Sequence, residues 1–554
     1  MARFRGLKAL AVSVGAVFVA VACGNQGGGG GGNVTLAKDQ TLRLAIQDDV
    51  EYLDPGHVSS AVDIAFTNEL FAGLYKFDND LKVVPDMATG KPDISSDGLT
   101  YTFHLKKGIK FSNGDPVTSK DVLYSWNRTA SLNDAYATVF DPVVGGTDTE
   151  NGKTKTMEGL TAPDDSTVKA KLTDPAGYWL TELALWTASI VDQKAVAQGG
   201  EDKWWTNPAT AIGAGPFKLT ERTPKASMAF EPVANWWGGS TGALKKVTVE
   251  IGIDQASQVK KFESGGFDML GFANNQPDPE DILRYKNDAT KSKQLTTKPA
   301  ARTTWAGFNF TKGPFAGLTE GLNMRKAFAL AIERNQLVDV ACAKGILCTA
   351  ATGGQIAKGL KGYTGDNSDP YTKFDASQAK SLLSQAGGAA KVAGLKYSFN
   401  ANSQNQKVAE NLQSQWRNNL GVNVDLDSMD FPSLLKKRKA KETIVFRDSW
   451  GADYDHPQDW FDNLDTCAQA PPGKGNSEGY CNPKVDALVA KADKQQIEQA
   501  LPDYVSAGKQ MIQDVEGANL MYGTQTYFTK DYVKGSGFNA LYDYRWEGIS
   551  IAQH

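Results

Sequence analysis

Asp453 and Asp455 stand two residues apart in Asp453-Tyr454-Asp455-His456-Pro457, a spacing that could supply a carboxylate pair for glycoside cleavage. On a strand the two would share one face; in a loop they need not. A single Asp-x-Asp is a weak signal, and no GxSxG, HExxH or phosphate-cradling glycine loop accompanies it. The histidines His57, His104, His456 and His554 are scattered along the chain, which argues against a His-rich metal site or a catalytic triad. Cys342, Cys348, Cys467 and Cys481 lack the CxxC-like spacing of a zinc centre. Neither catalysis, a metal nor a cofactor is expected.

The start of the chain says where it works. Arg3, Arg5 and Lys8 form a basic start, and the uncharged apolar run 9–21 follows. That run is too short to span a bilayer, which needs roughly 20 residues, and it has the layout of a secretory signal. Ala20-Val21-Ala22-Cys23 resembles the lipobox of bacterial lipoproteins, although Ala20 stands where leucine is usual. The resemblance implies a diacylglyceryl group on Cys23 as the mature N-terminus. Gly24-Asn25-Gln26 then runs into six glycines, Gly27 to Gly32, a flexible spacer that cannot pack. An exported chain meets an oxidising compartment, so the four later cysteines are expected in disulfides. Three pairings are formally possible. Cys342–Cys348 and Cys467–Cys481 are favoured because each closes a short loop.

The elements that would position any site follow from periodicity. Residues 41–46 and 101–105 alternate like strands, with the turn Asp54-Pro55-Gly56 after the first. Helices are expected over 63–74 and over 122–128, the latter behind the cap-like Thr118-x-x-Asp121, and again over 323–340, 375–386 and 406–420. The last is followed by Gly421 and an alternating strand at 422–426, the grammar of an α/β lobe. The chain has 554 residues and a net charge of −4 with mixed signs, so more than one lobe is expected and a nucleic-acid binder is not. Twelve tryptophans and 18 tyrosines suit cavities lined by rings with a polar tip.

The segment from Tyr101 to Thr118 resembles the hallmark block of the dipeptide- and oligopeptide-binding solute receptors of bacterial ATP-driven importers. Gly213-Ala214-Gly215-Pro216-Phe217, Asn235-Trp236-Trp237-Gly238-Gly239, the helix from Arg325 to Arg334 and Trp450-Gly451-Ala452-Asp453-Tyr454 are similar to further blocks of that family, in the same order. The resemblance implies an α/β, two-lobed, periplasmic-binding-protein-like clamshell of three domains with a two-strand hinge near 303–305 and 522–527. Carried over, it divides the chain into a signal peptide 1–22, the lipidated Cys and linker 23–36, domain I as 37–80, 196–305 and 522–554, domain II as 81–195, and domain III as 306–521.

The same resemblance implies short peptides as ligand, permease and ATPase subunits as partners, and a monomer lipid-anchored to the outer face of the cell membrane. A receptor for varied peptides must bind what they share, the backbone amides and two charged ends. The oligopeptide branch implies that Asp453 holds the ligand ammonium and that Arg447, six residues earlier, meets its carboxylate. Ser449, Trp450 and Gly451 would pair with the ligand main chain, as would Ser59, Ser60 and Ala61 from the opposite lobe. Phe431 and Tyr527 fall where the branch places pocket aromatics, and Arg438 where it places a pocket cation. A same-fold receptor for an oligosaccharide or nickel chelate is the alternative.

Overall fold

Leu42, Leu44 and Ile46 alternate onto one face of the strand Thr41–Ile46 and are fully buried. That strand pairs in parallel with Lys246–Ile251, and the sheet continues antiparallel through Ser227–Pro232 and Phe217–Thr223. Phe66, Phe230, Phe272 and Trp546 pack ring against ring over it. The computed structural model describes residues 35–554 apart from 135, 275, 536, 542 and 543. The signal segment, Cys23 and the glycine run lie outside the described residues.

A second four-stranded sheet, in the order Asp93–Ile94, Thr100–His104, Thr167–Lys171 and Leu160–Asp164, carries the helix Ser119–Leu132. The expected cap of that helix is present as a reciprocal box, with Thr118 Oγ1 donating to Asp121 Oδ2 at 2.8 Å. Trp126, Trp179 and Phe103 fill the core of this body. These two bodies make one lobe.

The other lobe is built on a seven-stranded sheet that includes Leu295–Phe308, Gly517–Thr529, Val445–Gly451, Lys396–Asn400 and Asp425–Met429. Leu295–Phe308 and Gly517–Thr529 pair antiparallel along most of their length, with register shifts between Pro299 and Thr303 and between Thr304 and Trp305. Phe528 at one end stacks on Tyr285 in the first lobe, while Trp305 and Leu520 at the other lie in the second lobe's core. Two paired strands thus join the lobes, the geometry from which a hinge is made.

The helix expected over 323–340 is two helices, Leu322–Leu330 and Arg334–Ala341. The break is held by a buried cation. Arg334 donates to the carbonyls of Ala329, Ile332 and Thr372 at 3.0–3.3 Å, collecting oxygens that a continuous helix would have used. Glu333 caps the second helix by accepting from Asn335 and Gln336 N–H. The helix expected over 63–74 is Ala61–Leu70, and the strand expected at 422–426 is Asp425–Met429. Both local disulfides, Cys342–Cys348 and Cys467–Cys481, are formed. Among the described residues no helix is long and apolar enough to cross a membrane.

Candidate functional site

The turn that leads into the site is fixed by a buried ion pair. Asp54 accepts from Arg128 Nη1 at 3.0 Å and Nη2 at 2.6 Å, and from Trp204 Nε1 at 2.8 Å. Trp186 Nε1 donates to the Val58 carbonyl at 2.9 Å. With the turn so held, Ser60 becomes the N-cap of Ala61–Leu70 and its hydroxyl accepts from Asp63 N–H at 3.2 Å. Ser59 and Ala61 then face the space between the lobes.

From the opposite lobe comes the strand Val445–Gly451. One edge pairs with Leu295–Phe308 as far as Arg302 opposite Gly451. The other edge meets Lys396–Asn400 only at Val445 and Phe446. No described strand covers that edge from Arg447 to Gly451, so the main-chain groups that point to it lack a ladder partner there, Ser449 N–H donating instead to Asp448 Oδ1 at 2.7 Å. Beyond the strand, Ala452 N–H donates to the Ala301 carbonyl at 2.7 Å and sets the course of Asp453.

Asp453 sits where the lobes meet. Its Oδ1 accepts from Tyr136 OH of the first lobe at 2.9 Å. Burial pushes its carboxyl up to about 6, against the lowering effects of that hydrogen bond and of the Arg302 charge. Behind it Asp459 is fully buried, accepts from Trp450 Nε1 at 3.1 Å, and is pushed well above the usual range by burial and by Asp453. The Asp453 carboxyl, with a second, buried acid behind it, faces the ligand space.

That space is a cavity of about 200 Å³ lined by Ser59, Ala61, Tyr136, Trp186, Gly451 and Asp453, with Arg302 and Arg545 on its wall. Arg545 donates to the Asn68 carbonyl. Arg302 lies beside Gly451, to the point that a Cβ on Gly451 would be 3.1 Å from its Nη2. Its guanidinium forms no ion pair among the described residues. A carboxylate and free cation in one enclosed space suit a zwitterion.

The structure gathers Asp453, Gly451, Ser59 and Ala61 around this cavity, and Trp450 on the wall of a larger one next to it. Ser449 lies on the same strand face as Gly451 and Arg302. Arg447 is four residues further along, half-buried and outside the cavity lining, with Nε unpaired and its pKa lowered by burial to about 10. Arg438 is buried against Asp448. Phe431 is 48% exposed at the first turn of Phe431–Lys439, and Tyr527 is buried in the joining strand with its hydroxyl donating to Gln525 Oε1 at 2.5 Å. None of these last three lines the cavity. Arg302, Asp459 and Tyr136 escaped the sequence reading. A lone arginine in Ala300-Ala301-Arg302-Thr303 carries no motif, and only its cross-strand neighbour Gly451 marks it.

Two lobes, two joining strands and a cavity between them with charged groups on its wall define a solute-binding clamshell. Residues 82–472 match the family of bacterial extracellular solute-binding proteins, family 5, and the chain belongs to that family. It is 26% identical over 532 residues to the oligopeptide-binding protein OppA of Bacillus subtilis, covering 94% of each chain. It is 28% identical over 516 residues to the periplasmic murein peptide-binding protein MppA of Escherichia coli, covering 91% of each. The solved structure of the Escherichia coli murein tripeptide-binding protein MppA superposes with a TM-score of 0.74 at 26% identity, covering 94% of this chain and all of that one.

Proposed function

We propose that this chain is the receptor subunit of an ATP-driven importer, capturing short peptides between its lobes and delivering them to a membrane permease and its ATPase. The observation that carries the reading is the unpaired strand edge of Ser449–Gly451, which ends at Asp453 inside the cavity. An extended ligand backbone can add to such an edge whatever its side chains, and Asp453 can hold its ammonium. Ser59 and Ala61 meet it from the other lobe, and closure about the two joining strands removes it from water. The named peptide specificities of the OppA and MppA relatives support the same reading.

Arg302, rather than Arg447, is the cation best placed for the ligand carboxylate, because it lines the cavity and Arg447 does not. The protein acts as a monomer outside the cytoplasm, tethered to the membrane by a lipid on Cys23, and it is not an enzyme. Calorimetric titration with a pool of di- to pentapeptides is expected to show saturable binding. No peptide binding alongside tight oligosaccharide or nickel-chelate binding would overturn the reading. Failure of Cys23 to take an acyl label in bacterial cells would remove the tether.

A further inference from the structure

Beyond Asp453 the lobes enclose a second space of about 1100 Å³, which shares Ser59, Tyr136, Leu185 and Asp453 with the first. Five further acids line it: Asp141, Asp174 and Glu182 from one lobe, Asp462 and Asp493 from the other. Four of these carboxyls are pushed up chiefly by their own burial, Asp462 to about 6, Asp141 to about 7, Asp493 to about 8 and Glu182 well above the usual range. Among the described residues none of the five forms an ion pair with a lysine or arginine. The single cation on the described wall is Lys494, whose side chain is exposed.

Glu182 carries the argument. It is only 8% exposed, and its Oε1 is 3.2 Å from Tyr454 OH while its Oε2 has no hydrogen-bond partner. Tyr454 OH also meets Gln458 Oε1, and Gln458 Nε2 donates to Asp462 Oδ2 at 2.9 Å. Tyr454 OH thus stands between Glu182 and Gln458, and Glu182 Oε2 is left without a partner among the described residues. A buried carboxyl oxygen without a partner is costly and needs a reason. An ammonium brings three N–H donors and a guanidinium five, with a positive charge. The aliphatic stem of such a group would find Val139, Leu185 and Leu435 on the same wall.

We propose that this second space is a subsite for a lysine or arginine side chain close to the amino end of the bound peptide, so that the protein favours cationic peptides. The inference rests on the peptide-capture reading and on Asp453 marking the amino end. Calorimetry at pH 7.5 with Lys-Ala-Ala and with norleucine-Ala-Ala, which has a similar chain without the charge, tests it. The lysine peptide is expected to bind at least about tenfold more tightly. Glu182→Gln is expected to remove most of that preference while leaving the norleucine peptide unaffected. Should Glu182→Gln not fold, Asp493→Asn, at a half-buried position, makes the same comparison. Equal affinity of the two peptides for the unaltered protein would overturn the subsite and leave peptide capture standing. Binding of neither would instead overturn peptide capture itself.

Discussion

Tyr136 OH donates to Asp453 Oδ1 at 2.9 Å, so the carboxylate offered by one lobe already carries a hydrogen bond from the other. An arriving ammonium finds the remaining lone pairs free and, by binding there, joins a contact that spans the cleft. Capture and lobe contact share one side chain. Asp453→Ala is expected to weaken a free-amine tripeptide by about 10- to 100-fold, the range for a hydrogen bond to a charged group. N-acetylation of the peptide should cost the unaltered protein as much and the variant almost nothing. Titration calorimetry on the four combinations checks this.

Acid should weaken capture. Asp453 must be ionised to hold an ammonium, and its carboxyl is raised to about 6 in the ligand-free protein. Below that value, affinity for free-amine peptides is expected to fall by about tenfold per pH unit. Above it, affinity should level off until the peptide's own amine deprotonates near about 8. The sign for stability is opposite. A carboxyl raised by folding contributes stability below its unfolded value that is lost as pH rises through about 6. The ligand-free protein should therefore lose stability from this group between about pH 4 and about pH 6, and peptide should restore it. Denaturant melts with and without peptide measure both.

Arg302 and Arg447 can be told apart. Arg302→Gln is expected to erase the preference for a free over an amidated peptide carboxyl terminus, about tenfold in affinity. Arg447→Gln should leave that preference intact, since Arg447 lies outside the cavity lining. Paired titrations with free and amidated tripeptides separate the outcomes.

Much of this arrangement is legible in the residues themselves. Thr118 with Asp121 starts a helix, Gly421 in the left-handed region at φ 73° ends one, and the alternating run Thr41–Ile46 makes a strand as its pattern requires. What escapes local pattern is what distant contacts decide. The break before Arg334 depends on carbonyls at Thr372 and Asn519, which no window around residues 323–340 contains. Arg302 becomes interesting only once Gly451 is its neighbour, and Glu182 only once Tyr454 arrives from the other lobe. In the same way Phe431 reads as a pocket ring in one dimension and stands near solvent in three.

The lobes meet backbone to backbone at Gly177. Its N–H donates to the Asp493 carbonyl at 2.7 Å, and a Cβ there would lie 1.7 Å from the Gln495 carbonyl oxygen. Backbone on both sides leaves nothing that can give way. Gly177→Ala is expected to prop the lobes apart, weakening peptide binding by about tenfold with little change in the melting of either lobe. Small-angle scattering of the peptide-saturated variant should show a larger radius of gyration than the unaltered protein.

Mass spectrometry of the ligand released from the protein as purified from its own cells is the most direct test of the central claim, that the cleft holds peptides by their amino end at Asp453. The account predicts short peptides with free amino termini, rich in lysine or arginine near that end, and their loss from the Asp453→Ala variant. A released saccharide or metal chelate, or peptides retained equally by Asp453→Ala, would contradict it.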